Sequence, residues 1–150
     1  SRGAKDITVA ETNSGRRETV RAAGAFQTID PTSTDGVDEN SFGLIIDAVG
    51  GGVTRELASR AVRPGGVVAH IGLMDTKEGA DIRKFTLQEV TFIGTYTYTM
   101  VDFRATIAAI SDGVLGDLSW IERLPLNAGA EAFDNLEHGR CAASKIVLLP

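Results

Sequence analysis

Cysteine is nearly missing from this chain, with Cys141 the only one among 150 residues. A single thiol forms no intrachain disulfide and builds no thiolate-rich zinc site. Its spacing from His70 and His138 does not make a metal-ligand set, so it reads as an inert thiol near a helix end. Dense runs of Lys and Arg are missing as well. With a net charge of -5, this argues against a nucleic-acid surface. The longest apolar stretches, such as Gly65 to Leu73, fall far below the roughly 20 residues that a membrane-spanning helix needs. The chain opens without the basic and apolar segments of a secretory signal, so a cytoplasmic location and small-molecule partners are expected.

What the chain does have is an ordinary globular composition, 43% hydrophobic and 23% charged, at a length that suits one compact core. Strand-length apolar runs alternate with segments of helical period, the pattern of strand-helix units on a parallel sheet. Ile7 to Ala10 reads as a strand. Thr12-Asn13-Ser14 then starts a helix that ends at Gly24, where a left-handed cap is expected. Ala25 to Ile29 is a short second strand, and Asp30 to Ser41 a polar loop. Phe42 to Val49 is almost continuously apolar, as a central strand covered on both faces would be. Leu57, Ala58, Ala61 and Val62 form one helical stripe from Val53, stopping at Pro64-Gly65-Gly66. Val67 to Leu73 and Val90 to Tyr96 read as further parallel strands with a charged loop between them. Phe103, Ile107 and Ile110, capped by Asp102, mark one later helix. Ala128, Ala132, Phe133 and Leu136 mark another, and Ile146 to Leu149 is a closing strand.

Glu11 is the most informative residue, a carboxylate at the carboxyl end of an apolar strand. In open α/β sheets ligands sit at such ends, and an acid there accepts hydrogen bonds from both hydroxyls of an adenosine ribose while repelling a 2'-phosphate. Equally, it is an acid favoured by the dipole of the next helix. Arg16 reads as a guanidinium for an adenine ring or phosphate, or as surface charge; Arg17 reads as surface charge. Gly50-Gly51-Gly52 follows a buried strand and opens a helix, so its amides either approach a ligand or merely turn the chain. It is not a G-x-G-x-x-G fingerprint, because Arg55 stands at the third position. Asp47 is expected to be hydrogen-bonded and structural, and His70 to be a core residue.

Several of these segments resemble one family. Ile7-Thr8-Val9-Ala10-Glu11, the arginine-rich helix after it and Ala23-Gly24-Ala25 resemble the second strand and helix of the zinc-type medium-chain alcohol and polyol dehydrogenases. Phe42-Gly43-Leu44-Ile45-Ile46-Asp47-Ala48-Val49-Gly50 is similar to the family's fourth strand, and Arg63-Pro64-Gly65-Gly66 with Ile71-Gly72-Leu73 to the unit after it. Ile93-Gly94-Thr95-Tyr96 resembles the sixth strand. Leu124-Pro125-Leu126, Glu131-Ala132-Phe133 and Lys145-Ile146-Val147-Leu148 resemble the terminal helix and strand.

The resemblance implies an α/β fold, a Rossmann-type doubly wound parallel sheet lacking its first strand, with C-terminal helices and a strand. Residues 1–100 would be a partial dinucleotide-binding domain, and residues 101–150 a segment returning toward a catalytic domain outside this chain. It implies NAD rather than NADP as cofactor, with Glu11 on the ribose and Arg16 by the adenine. Val49 and Gly50 would flank the adenosine, and Gly72, Leu73, Thr95 and Tyr96 would lie near the nicotinamide. The substrate would be an alcohol or polyol, and zinc would belong to the other domain. The family begins this domain with a strand and the glycine fingerprint, whereas Arg2-Gly3-Ala4-Lys5 reads as the tail of the first helix. The chain is therefore expected to be an inactive C-terminal fragment. A homodimer is expected through Val90 to Tyr96 as an edge strand. Two further readings stand beside the oxidoreductase: an S-adenosylmethionine-dependent methyl transferase, which would end its sheet in an antiparallel hairpin, and a non-catalytic assembly module. In the 3-2-1-4-5-6 strand order, losing the first strand leaves Ile7 to Ala10 and Leu44 to Asp47 with open edges. A strand of another copy, a remnant of the parent, or direct pairing of the two would fill the gap.

Overall fold

The computed structural model describes residues 3–24, 26–33 and 36–150. The chain divides into two compact units, one formed by Ser1–Gly36 with Met100–Pro150 and the other by Val37–Thr99. Every strand pairing within them is parallel.

In the first unit, strand β1 (Thr8–Ala10) leads into helix α1 (Ser14–Ala23) and returns as β2 (Gln27–Ile29), which pairs with β1. Asn13 caps α1 by accepting from the Arg16 amide at 3.0 Å, as Asx residues do at helix starts. Gly24 does occupy the C-cap, but its backbone is extended rather than left-handed, and a Cβ on it would lie 2.8 Å from the Phe26 ring. Ala25, the expected start of the second strand, lies outside the described residues.

The second unit carries the three-stranded sheet β3-β4-β5: β3 (Phe42–Asp47), β4 (Val62–His70) and β5 (Thr91–Gly94). Helix α2 (Gly52–Ala61) connects the first two strands. It ends three residues before Pro64, earlier than the sequence pattern suggested. Val62 is fully buried, which draws the chain into the sheet directly after Ala61. Pro64-Gly65-Gly66 is instead absorbed as an irregularity in β4, where the ladder passes from Phe42↔Val62 to Leu44↔Val67. The core is Ala58, Val62, Val68 and Phe85, with Ile45, Ala80 and Val90 packed on it.

Two expectations need correction here. β4, not β3, is the central strand of this sheet, and Leu44 and Ile46 are 58% and 59% exposed, so one face of β3 is uncovered. The charged loop before β5 contains a six-residue helix, α3 (Ile82–Leu87), capped by Asp81 and anchored by buried Phe85. β5 is the edge strand, as expected, and all four of its residues are exposed. It is followed by α4 (Met100–Ser111), so the antiparallel hairpin required of a methyl transferase does not form at this point. Asp102 sits inside the first turn of α4 rather than at its cap.

The chain ends in β6 (Ile121–Pro125), a 3-10 turn at Leu126–Ala128, α5 (Gly129–Glu137) and β7 (Lys145–Leu149), with β7 pairing on β6. β6 was not evident from the sequence. Ala132 is buried as the helix stripe required, whereas Phe133 is exposed. The segment between α5 and β7 docks on α1 within the first unit. Asn13 Nδ2 donates to the Gly139 carbonyl at 2.6 Å, and Thr19 to that of Ala142 at 2.9 Å. Cys141 is buried there, its thiol 3.5 Å from a Glu122 carboxylate oxygen. Among the described residues β1 pairs only with β2, and β3 only with β4. No described helix is long and apolar enough to cross a membrane.

Candidate functional site

Parallel strands bring their carboxyl ends, and the loops that leave them, to one end of a sheet. In the second unit this places Val49 and Gly50 after β3, Gly72 and Leu73 after β4, and Thr95 and Tyr96 after β5 together at one end. The Ile71 and Gly72 amides donate to the Asp47 carbonyl at 2.9 and 3.0 Å, and the Thr95 amide to that of His70 at 2.9 Å. Val49, Leu73 and Tyr96 are exposed there.

Glycine is required at two of these positions. Gly50 has φ +71°, and a Cβ on it would overlap the Gly72 carbonyl and lie 2.7 Å from the Leu73 nitrogen. A Cβ on Gly72 would overlap the Val49 carbonyl and lie 2.5 Å from the Gly50 nitrogen. The two loops therefore pack backbone against backbone. The Met74 amide donates to the Val49 carbonyl at 3.1 Å across the same junction.

The triple glycine does not offer its amides to a ligand. Gly50 donates to Asp47 Oδ1 at 2.8 Å, Gly51 to Thr54 Oγ1 at 3.0 Å and Gly52 to Asp75 Oδ1 at 3.1 Å. An anion at the start of α2 would have to displace the protein's own carboxylate. Asp75 is held in turn by Arg55 Nη2 at 2.9 Å. Partial burial works against its charge, but the amide of Lys77, the Arg55 guanidinium and the amide of Gly52 outweigh this and lower its pKa. Arg55, which breaks the glycine fingerprint, also donates to the Gly50 carbonyl at 2.7 Å and to that of Lys77.

Asp47 is buried and hydrogen-bonded, as expected: it is 5% exposed, with Oδ1 accepting from Val49 and Gly50 and Oδ2 from Thr54 at 3.1 Å. His70 is partly buried, its ring 5.5 Å from that of Phe92 and its Nε2 3.6 Å from Asp47 Oδ2.

In the first unit, Glu11 stands one residue beyond β1, its amide bonded to the Ile29 carbonyl at 3.1 Å. Its Oε1 accepts from the Asn13 amide at 2.7 Å and from Arg16 Nη2 at 3.2 Å, and its Oε2 pairs with Arg16 Nε at 3.1 Å. Burial opposes its charge, but the Asn13 bond and then Arg16 prevail and hold the carboxyl below its ordinary 4.5. Arg16 is thus a half-buried partner of Glu11. Arg17 is not surface charge: its Nη1 donates to the Glu11 and Thr12 carbonyls at 2.6 and 2.8 Å and pairs with Asp30 at 3.1 Å. It ties the carboxyl ends of β1 and β2 together.

The fit to a nicotinamide dinucleotide is partial. A carboxylate at a strand end in the first unit suits a ribose; in the second unit the space beside Gly50 and Gly72 is filled by each other's loop, and the α2 amides, already spent, give a pyrophosphate nothing to bind. Zinc finds no set of ligands, since the described residues gather no group of three or more His, Cys, Asp or Glu side chains able to hold a metal ion.

No curated protein matches the chain by sequence. Solved structures do match by fold. L-idonate 5-dehydrogenase from Escherichia coli superposes with a TM-score of 0.82 at 18% identity, covering 99% of this chain and 44% of that one. 2R,3R-butanediol dehydrogenase from Bacillus subtilis gives 0.82 at 19%, covering 99% and 44%. The acetophenone reductase of Geotrichum candidum in complex with NAD gives 0.81 at 21%, covering 96% and 41%. The chain spans less than half the length of each. These likenesses show a Rossmann-type fold, the class the resemblance implied. A family model described as zinc-binding dehydrogenase matches residues 1–112, three-quarters of the chain, and the chain therefore belongs to the zinc-binding dehydrogenase family.

Proposed function

We propose that this chain supplies the cofactor side of an oxidoreductase that moves a hydride between an alcohol or polyol carbon and NAD. A bound nicotinamide would supply the acceptor for a hydride leaving the carbinol carbon, with the hydroxyl proton passing to water and a carbonyl left behind. The observation that carries the reading is the Gly50 and Gly72 junction at the carboxyl end of the β3-β4-β5 sheet, where ligands of open α/β sheets lie.

In this reading Glu11 takes the ribose hydroxyls and Val49 and Gly50 flank the adenosine. Gly72, Leu73, Thr95 and Tyr96 stand near the nicotinamide. Arg16 serves two ends: paired with Glu11 it keeps the carboxylate charged and oriented, which favours NAD, and turned outward it would meet a 2'-phosphate. The zinc ligands and the substrate pocket belong to a catalytic domain outside these residues, toward which residues 101–150 return from the dinucleotide-binding part, residues 1–100. The isolated chain is inactive and binds NAD weakly, because the amides at the start of α2 are already taken by Asp47, Thr54 and Asp75 and leave the pyrophosphate no anion site there. β5 joins two copies edge to edge, and the protein works in the cytoplasm.

The test is Glu11→Ala in an active enzyme that contains this chain. NAD binding weakens and the gap to NADP narrows; unchanged cofactor preference overturns the role of Glu11.

A further inference from the structure

Asp47 is the one buried acid of the described residues, and the hydride chemistry proposed above makes no use of it. Its side chain is 2% exposed. A carboxylate is retained in such a place only when its oxygens are well supplied with donors. Here they are, and the donors share one origin. Oδ1 takes the Val49 amide at 3.1 Å and the Gly50 amide at 2.8 Å. Oδ2 takes the Thr54 hydroxyl at 3.1 Å, whose oxygen receives the Gly51 amide at 3.0 Å. All of them lie in the loop between β3 and α2 or in the first turn of α2. The Asp47 carbonyl serves the other loop, accepting from Ile71 and Gly72.

We infer that Asp47 is the positioning residue of the cofactor end, setting the β3 loop with its carboxylate and the β4 loop with its carbonyl so that Gly50 and Gly72 meet before any ligand arrives. This rests on the proposed cofactor role of Val49, Gly50, Gly72 and Leu73, and adds what prepares them. Gly50 is held at φ +71°, a conformation a glycine leaves freely unless its amide is fixed. Oδ1 fixes it. A ligand meeting these loops then spends no binding energy on ordering them, so loss of the carboxylate weakens binding without removing a ligand contact.

Removal of the side chain and its conservative replacement separate this role from plain stability. Asp47→Ala loses all three side-chain bonds and keeps the carbonyl. Asp47→Asn keeps an oxygen for Val49 and Gly50, and its amide can donate to Thr54, whose hydroxyl then turns to the Gly51 carbonyl 3.0 Å away. Amide hydrogen exchange on the full chain, resolved by NMR, is the readout, with Val68 and Ala69 in the core of β4 as reference. In Asp47→Ala, Val49 and Gly50 exchange faster by about tenfold to a hundredfold, the loss expected for bonds to a charged acceptor. Val68 and Ala69 change little, and Asp47→Asn stays within about threefold of the parent chain. Uniform acceleration including Val68 and Ala69 would make Asp47 a general stabilising residue, and unchanged exchange at Val49 and Gly50 would remove it from the loop; either overturns the inference. Should Asp47→Ala unfold, exchange in Asp47→Asn and in Thr54→Val decides the matter, with Thr54→Val expected to speed Gly51. Adding millimolar NAD distinguishes the two layers. Shifts at Val49, Gly50, Gly72 and Leu73 in the parent chain that shrink at least about fivefold in Asp47→Ala support both, and equal shifts overturn the positioning role. No shifts in the parent chain overturn the cofactor reading, while the exchange rates still decide whether Asp47 sets the loops.

Discussion

Replacing Gly50 by alanine tests the loop junction most sharply. Two costs combine in this variant. An L-residue at φ +71° gives up about 1–2 kcal/mol against the right-handed alternatives. The added methyl also meets backbone rather than a flexible side-chain end: the Gly72 carbonyl and the Leu73 nitrogen, the latter at 2.7 Å. Forcing such an overlap costs about 1–3 kcal/mol. The sum, about 2–5 kcal/mol, is a large share of the stability of about 5–15 kcal/mol usual for a domain. Gly65 is the built-in control, since it has φ +68° with nothing within 4 Å of an added Cβ, and it pays the conformational cost alone. Scanning calorimetry of the full chain should show Gly50→Ala melting about 4–20 °C lower and Gly65→Ala about 2–8 °C lower, at roughly 2–4 °C per kcal/mol. Equal shifts in the two variants would refute the backbone contact between the loops.

Other perturbations follow from the same contacts. Val62 is 0% exposed and Val53 79%, so Val62→Ala should cost about 2 kcal/mol in urea unfolding and Val53→Ala less than about 0.5; similar losses would misplace the core. Glu11 has its folded pKa held below the 4.5 of the unfolded chain, so its ionised form contributes stability that is complete above 4.5 and is lost as pH falls through the lower folded value. The stability difference between the parent chain and Glu11→Gln should accordingly shrink on acidification below about pH 5; a difference that grows there would contradict the Asn13 and Arg16 contacts. Ile93 is half-exposed on β5, and Ile93→Lys should lower the dimer fraction in sedimentation without lowering the melting temperature, since edge charges block strand pairing. An unchanged association state would remove β5 from any interface.

Where the sequence pattern reads well, the physics is local. The apolar run of Phe42 to Asp47, the helical stripe at Ala58 and Ala61, and the cap at Asn13 all follow from spacing and side-chain type. α3 was hidden because six residues are too short to show a helical period, and it stands on one cap and one buried ring. β6 was hidden because its residues are mostly exposed and it is defined by pairing with β7, more than 20 residues away. The site divides the same way. Glu11 at a strand end and glycine at positions 50 and 72 are visible in the chain. That Arg17 straps two strand ends, and that Asp75 already occupies the start of α2, depends on tertiary contacts that no local pattern encodes.

The central claim is that these strand ends form the nucleotide-facing part of a dehydrogenase, and titrating NAD into the full 15N-labelled chain tests it most directly. The account predicts amide shifts concentrated at Glu11, Val49, Gly50, Gly72, Leu73, Thr95 and Tyr96, with a dissociation constant weaker than about 100 µM, or about -5.5 kcal/mol. Shifts that avoid those residues, or gather instead in the polar cleft lined by Asn40, Arg60 and Gln88, would contradict it.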